Sequence, residues 1–354
     1  MRSPARLPAL LLAALACCLP AMVEAKAGIC DTAARRHSHE PYLAIVSAFP
    51  AELAALVDAA DIETTIEVDG RQHYVGRLDG VSVVLALTGI GMINARTRTL
   101  ALLDGFPVAA LIMSGVAGSP QRIGDVLLPD DWVERDGVDV FHPNPALLAL
   151  ARRAAARLPA PLEHCTLVPP TAPDPMTVCF GFVPTVIFGG RGVSGDNGKT
   201  FPCIPAAGDI FGCELPSPTP AAVTGEVFHP RGTAPDIVDM ETGAVARAAA
   251  ERQIPFLGVR AVSDGAGDPL GDRGFPAQFF DYYRLAARNA AAVTHAVVTE
   301  VGKLGRKDSA RATCRLLARR RWDRAAARID RPRRNRGDVA ASVRPRRSDL
   351  PREP

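Results

Sequence analysis

The chain has 354 residues, 47% hydrophobic and 22% charged, enough for one large α/β domain or two smaller ones with a full core. Its formal net charge of +3 hides a division. Residues 306–354 hold seventeen Lys/Arg against six Asp/Glu, whereas residues 1–305 hold 24 against 32, a net of −8. So acidic a main body argues against a nucleic-acid partner.

Arg2 and Arg6 precede an apolar run from Leu7 to Met22, and Val23-Glu24-Ala25 supplies small-residue spacing for cleavage before Lys26. Residues 1–25 therefore read as a secretory signal peptide, too short and too Pro-interrupted for a stable membrane span. Residues 26–40 read as a linker. A lipid anchor on Cys17 ranks second, because Ala14 stands where a lipobox opens with a branched residue. Both readings predict export, to the periplasm or outside the cell. Six cysteines remain after cleavage, and an even number in an exported chain predicts disulfides. Cys165 with Cys179 and Cys203 with Cys213 are local pairings; the connectivity stays open. With no C-x-x-C pair or nearby His pair, no metal site is expected.

From Tyr42 the ordered domain begins. YLAIVSA has the length of a buried strand, and PAELAALVDAA reads as a helix opened by Pro50, with Glu52 in its first turn. Three strands follow, with hairpin turns at Asp69-Gly70 and Asp79-Gly80. Thr88-Gly89-Ile90-Gly91 leads into a helix over Met92 to Leu103. A dinucleotide fingerprint would need glycine where Asn94 stands, so an oxidoreductase is not supported. ALIMSGVAG reads as a strand ending in a small-residue loop from Ser114 to Gly118, GDVLLP as a short strand, Asn144 to Arg157 as a helix and PTVIFGG as a strand. About 160–235 the composition turns to Pro, Gly and Cys, which predicts an insertion, mostly loop.

Asp236 to Asp264 organises the rest. Ile237 to Met240 reads as a strand that delivers Glu241 to the start of a helix; the helix ends near Gln253, and Pro255 stops it. FLGVRAVS is then a buried parallel strand with Asp264 at its carboxyl end, the side on which open α/β sheets bind ligands. FPAQFFDYYRLAARNAAAVTHAVVTEVGKL closes the domain as a long helix near residue 305. The basic tail of 306–354 is expected to be without fixed structure, although Cys314 to Ile329 has the spacing of a basic helix.

Val238-Asp239-Met240-Glu241, followed by Arg260-Ala261-Val262-Ser263-Asp264, resembles the paired signature of the nucleoside phosphorylase and nucleosidase superfamily, above all the methylthioadenosine/adenosylhomocysteine nucleosidases. Glu52, after the first strand, falls in the same order, and the resemblance spans Tyr42 to about Gly302. It implies a three-layer αβα fold with a mixed central sheet, no cofactor, a small nucleoside as substrate and a homo-oligomer. As the resemblance has it, Glu52 activates water, Asp264, oriented by Ser263, protonates the departing base, and Arg260 and Thr88 position the water. Thr88, Gly89, Gly91, Gly115, Ala117, Gly118, Met240 and Glu241 lie against the substrate. One departure stands out: Ser194-Gly195-Asp196 lacks the aromatic that follows two residues on in relatives, leaving Phe201, Phe211 or Phe228 to replace it. The expected reaction is hydrolysis of a purine N-glycosidic bond. Alternatives are a phosphorylase using Arg96 or Arg98, and an exported nucleoside-binding or storage protein without turnover.

Overall fold

The structure, a computed structural model, describes residues 41–170, 174–199, 201–202, 208–212, 214–215, 236–272 and 274–329, with side chains as far as Leu304. The expected signal peptide and linker, Cys30, Cys203, Cys213 and Phe228 lie outside these residues.

Apolar, β-branched stretches form the central sheet. Strand β1 (Tyr42–Ser47) runs parallel to β4 (Val81–Leu87) on one side and to β5 (Val108–Arg122) on the other. Outward from β4 lie β3 (Arg71–Leu78) and β2 (Asp61–Val68), joined by antiparallel hairpins. Both turns place an Asp and a Gly at positive φ, 51° and 67° at Asp69-Gly70 and 51° and 81° at Asp79-Gly80, which matches the twist of a two-residue hairpin. The edge strand β2 is exposed along most of its length and carries Asp61, Glu63 and Glu67, charges that discourage pairing with another edge. Beyond β5 come β13 (Ile237–Asp239), β12 (Arg191–Ser194), β7 (Asp131–Glu134) and β8 (Val140–Phe141). Strand β14 (Phe256–Ala266) pairs parallel to β5 and antiparallel to β6 (Val126–Leu128), which in turn pairs with β11 (Val186–Phe188). The sheet is thus mixed, as expected.

Two groups of helices flank it. α1 (Pro50–Ala59) and α3 (Pro145–Ala155) pack on the long α6 (Ala277–Ile329), while α2 (Met92–Gly105) packs on α5 (Thr242–Arg252). Asn144 caps α3 by accepting from the N–H groups of Ala146 and Leu147, at 2.9 and 3.4 Å. No helix among the described residues is long and apolar enough to cross a membrane.

Four expectations are corrected. The small-residue stretch from Ser114 to Gly118 is not a loop: β5 continues through it to Arg122 because β14 pairs with it residue by residue. For the same reason Asp264 is not the end of its strand, which runs on to Ala266 through two irregularities in register. Within the stretch expected as an insertion, β11 and β12 belong to the central sheet; β9 (Cys165–Val168) and β10 (Met176–Cys179) form a separate hairpin bridged by a Cys165–Cys179 disulfide. The tail expected to be without structure from 306 is helical as far as Ile329, in a stretch rich in Ala, Leu and Arg with neither Gly nor Pro.

Candidate active site

The middle of β5 and of β14, the start of α1 and the end of β13 meet around one fully buried guanidinium, that of Arg260 on β14. Three carboxylates enclose it. Its Nη1 lies 3.2 Å from Glu52 Oε1, its Nη2 3.2 Å from Glu241 Oε2 and its Nε 2.8 Å from Asp239 Oδ2. Nε also donates to the Thr242 hydroxyl at 2.8 Å and Nη1 to the Val116 carbonyl at 3.2 Å.

Each acid reaches the cluster for a local reason. Pro50 opens α1 and fixes its entry, so that Glu52, in the first turn, shares the buried face of Leu53 and Leu56. The Glu52 carboxylate accepts the Ala48 N–H and the Val116 N–H, both at 2.7 Å. Glu241 is the N-cap residue of α5, and its carboxylate accepts the Gly91 N–H at 2.9 Å from the turn before α2. Asp239, the last residue of β13, accepts from the Ser194 and Thr242 hydroxyls.

Burial dominates the electrostatics. It raises Glu52 above the usual carboxylate range, against the pull of Arg260 and of the two backbone N–H groups. Glu241 is pushed up to about 8 by burial, opposed by Arg260 and reinforced by the charges of Asp239 and Glu52. The same three carboxylates raise Arg260 against its own desolvation, so it stays a cation.

Asp264 stands farther along β14, half-buried, opposite Gly118. The register slips between Val262 and Asp264, a bulge of the kind that re-aims a side chain next to a site. The Ser263 hydroxyl donates to Asp264 Oδ1 at 2.7 Å. Small residues on β5 make the room: a Cβ on Gly115 would lie 2.3 Å from Glu52 Oε1 and 2.2 Å from Arg260 Nη1, and one on Gly118 would lie 2.6 Å from Asp264 Oδ2. Val116, Ala117 and Gly118 therefore face Glu52, Ser263 and Asp264 in turn along one strand.

Of the residues singled out in the sequence, Glu52, Glu241 and Arg260 touch one another, and Ser263 and Asp264 follow Arg260 along β14. The Thr88 hydroxyl is buried and lies 2.9 Å from the Gly89 carbonyl and 3.3 Å from that of Ser47, rather than facing Glu52. Gly89 and Gly91, at φ 81° and 95°, turn the chain so that the Gly91 N–H meets Glu241. Met240 is half-buried between Asp239 and Glu241. Arg96 and Arg98 lie elsewhere: Arg96 pairs with Glu251 at 2.8 Å and Arg98 donates to the Asp69 carbonyl at 2.7 Å. Of the candidate aromatics, Phe201 packs on Gly91, where an added Cβ would lie 3.0 Å from its ring, and its carbonyl accepts from Asn94 at 2.6 Å. Phe211 ends the short helix α4 (Gly208–Phe211), packed against the core.

In the sequence Asp239, Ser194 and Asp196 appear only as members of motifs, with no role of their own, and Thr242 is not singled out at all. Asp196 caps α2 from outside, accepting the Met92 N–H at 2.8 Å. Polar residues around a helix start read as caps, and only the alternation of Asp239 with Glu241 hints that both point one way. No group of metal-ligating side chains gathers among the described residues.

A model of the phosphorylase superfamily matches residues 42–168 and 206–299. An uncharacterised protein of Mycobacterium tuberculosis is 35% identical over 185 residues, 47% of this chain and 74% of that one. The 5′-methylthioadenosine/S-adenosylhomocysteine nucleosidase of Geobacillus thermodenitrificans is 27% identical over 279 residues, 73% of this chain and 96% of its own. The crystal structure of the 5′-methylthioadenosine/S-adenosylhomocysteine nucleosidase of Neisseria meningitidis, in complex with methylthio-immucillin-A, shares the fold with a TM-score of 0.51 at 22% identity, covering 73% of this chain and 99% of that one. Matched from β1 to the end of β9 and again across β13, β14 and most of the part of α6 described with side chains, the chain belongs to the phosphorylase superfamily.

Proposed function

We propose that the protein is an exported enzyme that hydrolyses the N-glycosidic bond of a purine nucleoside, in the manner of the methylthioadenosine/adenosylhomocysteine nucleosidases it resembles. Stretching that bond builds positive charge on the ribose and negative charge on the leaving base. Glu52 takes a proton from water, and burial raises its pKa, which favours holding that proton once taken. Glu241 accepts hydrogen bonds from the ribose hydroxyls and so fixes the sugar beside Glu52. Asp264, steadied by Ser263, gives a proton to the base as it departs. Arg260 holds Glu52 and Glu241 in register with one another.

The observation that carries water over phosphate is that the donors of the cluster are already engaged. Three carboxylates surround one guanidinium, and the two amide N–H groups best placed to bind an anion are taken by Glu52. Phosphate needs free donors and positive potential. Arg96 and Arg98, occupied on the surface, do not supply them.

The test incubates purified protein with methylthioadenosine, adenosylhomocysteine, adenosine and inosine, with and without phosphate. Equal base release in both conditions supports hydrolysis. Release only with phosphate makes the protein a phosphorylase, and binding without release makes it a carrier. Export is read by the mass of the mature chain: a start at Lys26 supports it, and an intact Met1 in the cell fraction refutes it.

A further inference from the structure

The hairpin β9–β10 is bridged between directly paired positions, Cys165 and Cys179, and Cys179 is exposed to solvent. Its inward residues Val168 and Val178 join Ile123, Phe180, Tyr282 and Leu285 in an apolar cluster separate from the main core. Directly after Cys179 the chain carries two aromatic rings towards the segment that follows Asp264. Phe180 and Phe182 stack with centroids 5.3 Å apart and planes 8° from parallel, Phe180 also meets Tyr282 at 5.3 Å, and the Arg122 guanidinium lies 4.5 Å over the Phe182 ring. Phe182 closes on Gly267, three residues beyond Asp264. Gly267 has φ 83°, and a Cβ there would lie 2.7 Å from the Phe182 ring.

The same backbone is tied from α6. The Gly265 N–H donates to Gln278 Oε1 at 2.9 Å, and the Asp268 carboxylate accepts from the Tyr282 hydroxyl, from Leu270 N–H at 2.9 Å and from Asp272 N–H at 2.7 Å. The segment leaving Asp264 is therefore gripped from two sides, by α6 and by the Phe180–Phe182 pair. The second grip begins at the bridge.

We propose that the Cys165–Cys179 bridge and Phe182 are positioning elements for Asp264, so that reducing the bridge turns down glycosidic cleavage. The proposal rests on the nucleosidase reading for the role of Asp264. A dithiol supplies two electrons and two protons, leaving two cysteine thiols and its own cyclic disulfide. With the bridge open, the platform of Phe182 loosens and with it the backbone from Gly265 to Leu270. A displaced acid costs the transition state more than substrate binding, so kcat falls while KM stays nearly constant. A displacement of ångström size costs up to about 10²-fold.

The experiment measures hydrogen exchange of peptides spanning 264–272, with kcat and KM on methylthioadenosine, for the native protein and for the protein treated with a dithiol and alkylated, bridge cleavage being confirmed by mass. A Cys165→Ser/Cys179→Ser double variant isolates this bridge from the other cysteines. Phe182→Ala, with the bridge intact, serves where the double variant does not fold. The expected result is faster exchange confined to 264–272, a fall in kcat with KM held, the same pattern in Phe182→Ala, and native values in Phe182→Tyr. Unchanged exchange with the bridge open overturns the proposal, as does loosening that spreads equally to β1 and β5. If the native protein hydrolyses no nucleoside, the nucleosidase reading fails and the exchange data alone decide the coupling.

Discussion

Glu52 and Arg260 touch one another but fail differently when replaced. Glu52 is held by two amide N–H groups as well as by the guanidinium, so Glu52→Gln keeps the shape and much of the hydrogen bonding while removing the base. Proton transfer by one positioned group is worth about 10² to 10⁴-fold, and kcat is expected to fall by that factor with the unfolding transition still cooperative. Arg260→Met instead leaves Glu52, Glu241 and Asp239 buried around an apolar side chain. Removing one side of a buried ion cluster costs about 3–5 kcal/mol, so urea unfolding of Arg260→Met should shift to much lower denaturant than that of Glu52→Gln. Equal stability of the two variants would mean that Arg260 does not hold the acids together.

At the level of strands and helices, close packing is set by a few glycines. Trp132 on β7 is fully buried, with Gly192 on one side and Gly258 on the other. A Cβ on Gly192 would lie 2.3 Å from the indole and one on Gly258 2.8 Å from its Nε1. Gly192→Ala therefore forces the ring or β12 to move, and overpacking of this kind costs about 1–3 kcal/mol, read as a lowered Tm with activity kept in the surviving folded protein. This also shows what the sequence carried and what it did not. Glu52, Glu241 and Asp264 were singled out because each follows an apolar run and because their order resembles that of the nucleosidases; the apolar runs alone fit helix-terminus charges equally well. The extension of β5 beyond Gly115 was not legible, because Gly115, Ala117, Gly118 and Ser119 have the composition of a loop and become strand only through pairing with β14. Asp239 and Thr242 were hidden by looking like helix caps, and their real partner, Arg260, lies on another strand. The Cys165–Cys179 pairing was open in the sequence because proximity in the chain does not exclude other partners; the register of β9 with β10 decides it.

Across the whole molecule the buried acids should govern how stability varies with pH. Glu241, raised to about 8, and Glu52, raised as well, stay protonated in the fold over a range where the unfolded chain has already lost those protons. In that range the folded state binds more protons, so stability falls as pH rises from the ordinary carboxylate pKa towards about 8. Asp79, lowered first by the Thr299 hydroxyl, and Glu300, lowered first by Lys303, act in the opposite sense: their contribution is present at neutral pH and is lost on acidification. The two trends together place the maximum of stability on the acid side of neutrality. Urea midpoints measured between pH 5 and pH 8 should decline with pH in the native protein, and Glu241→Gln, which removes the group with the largest rise, should flatten that decline. An unaltered slope in Glu241→Gln would show that Arg260 keeps Glu241 ionised at every pH where the fold exists.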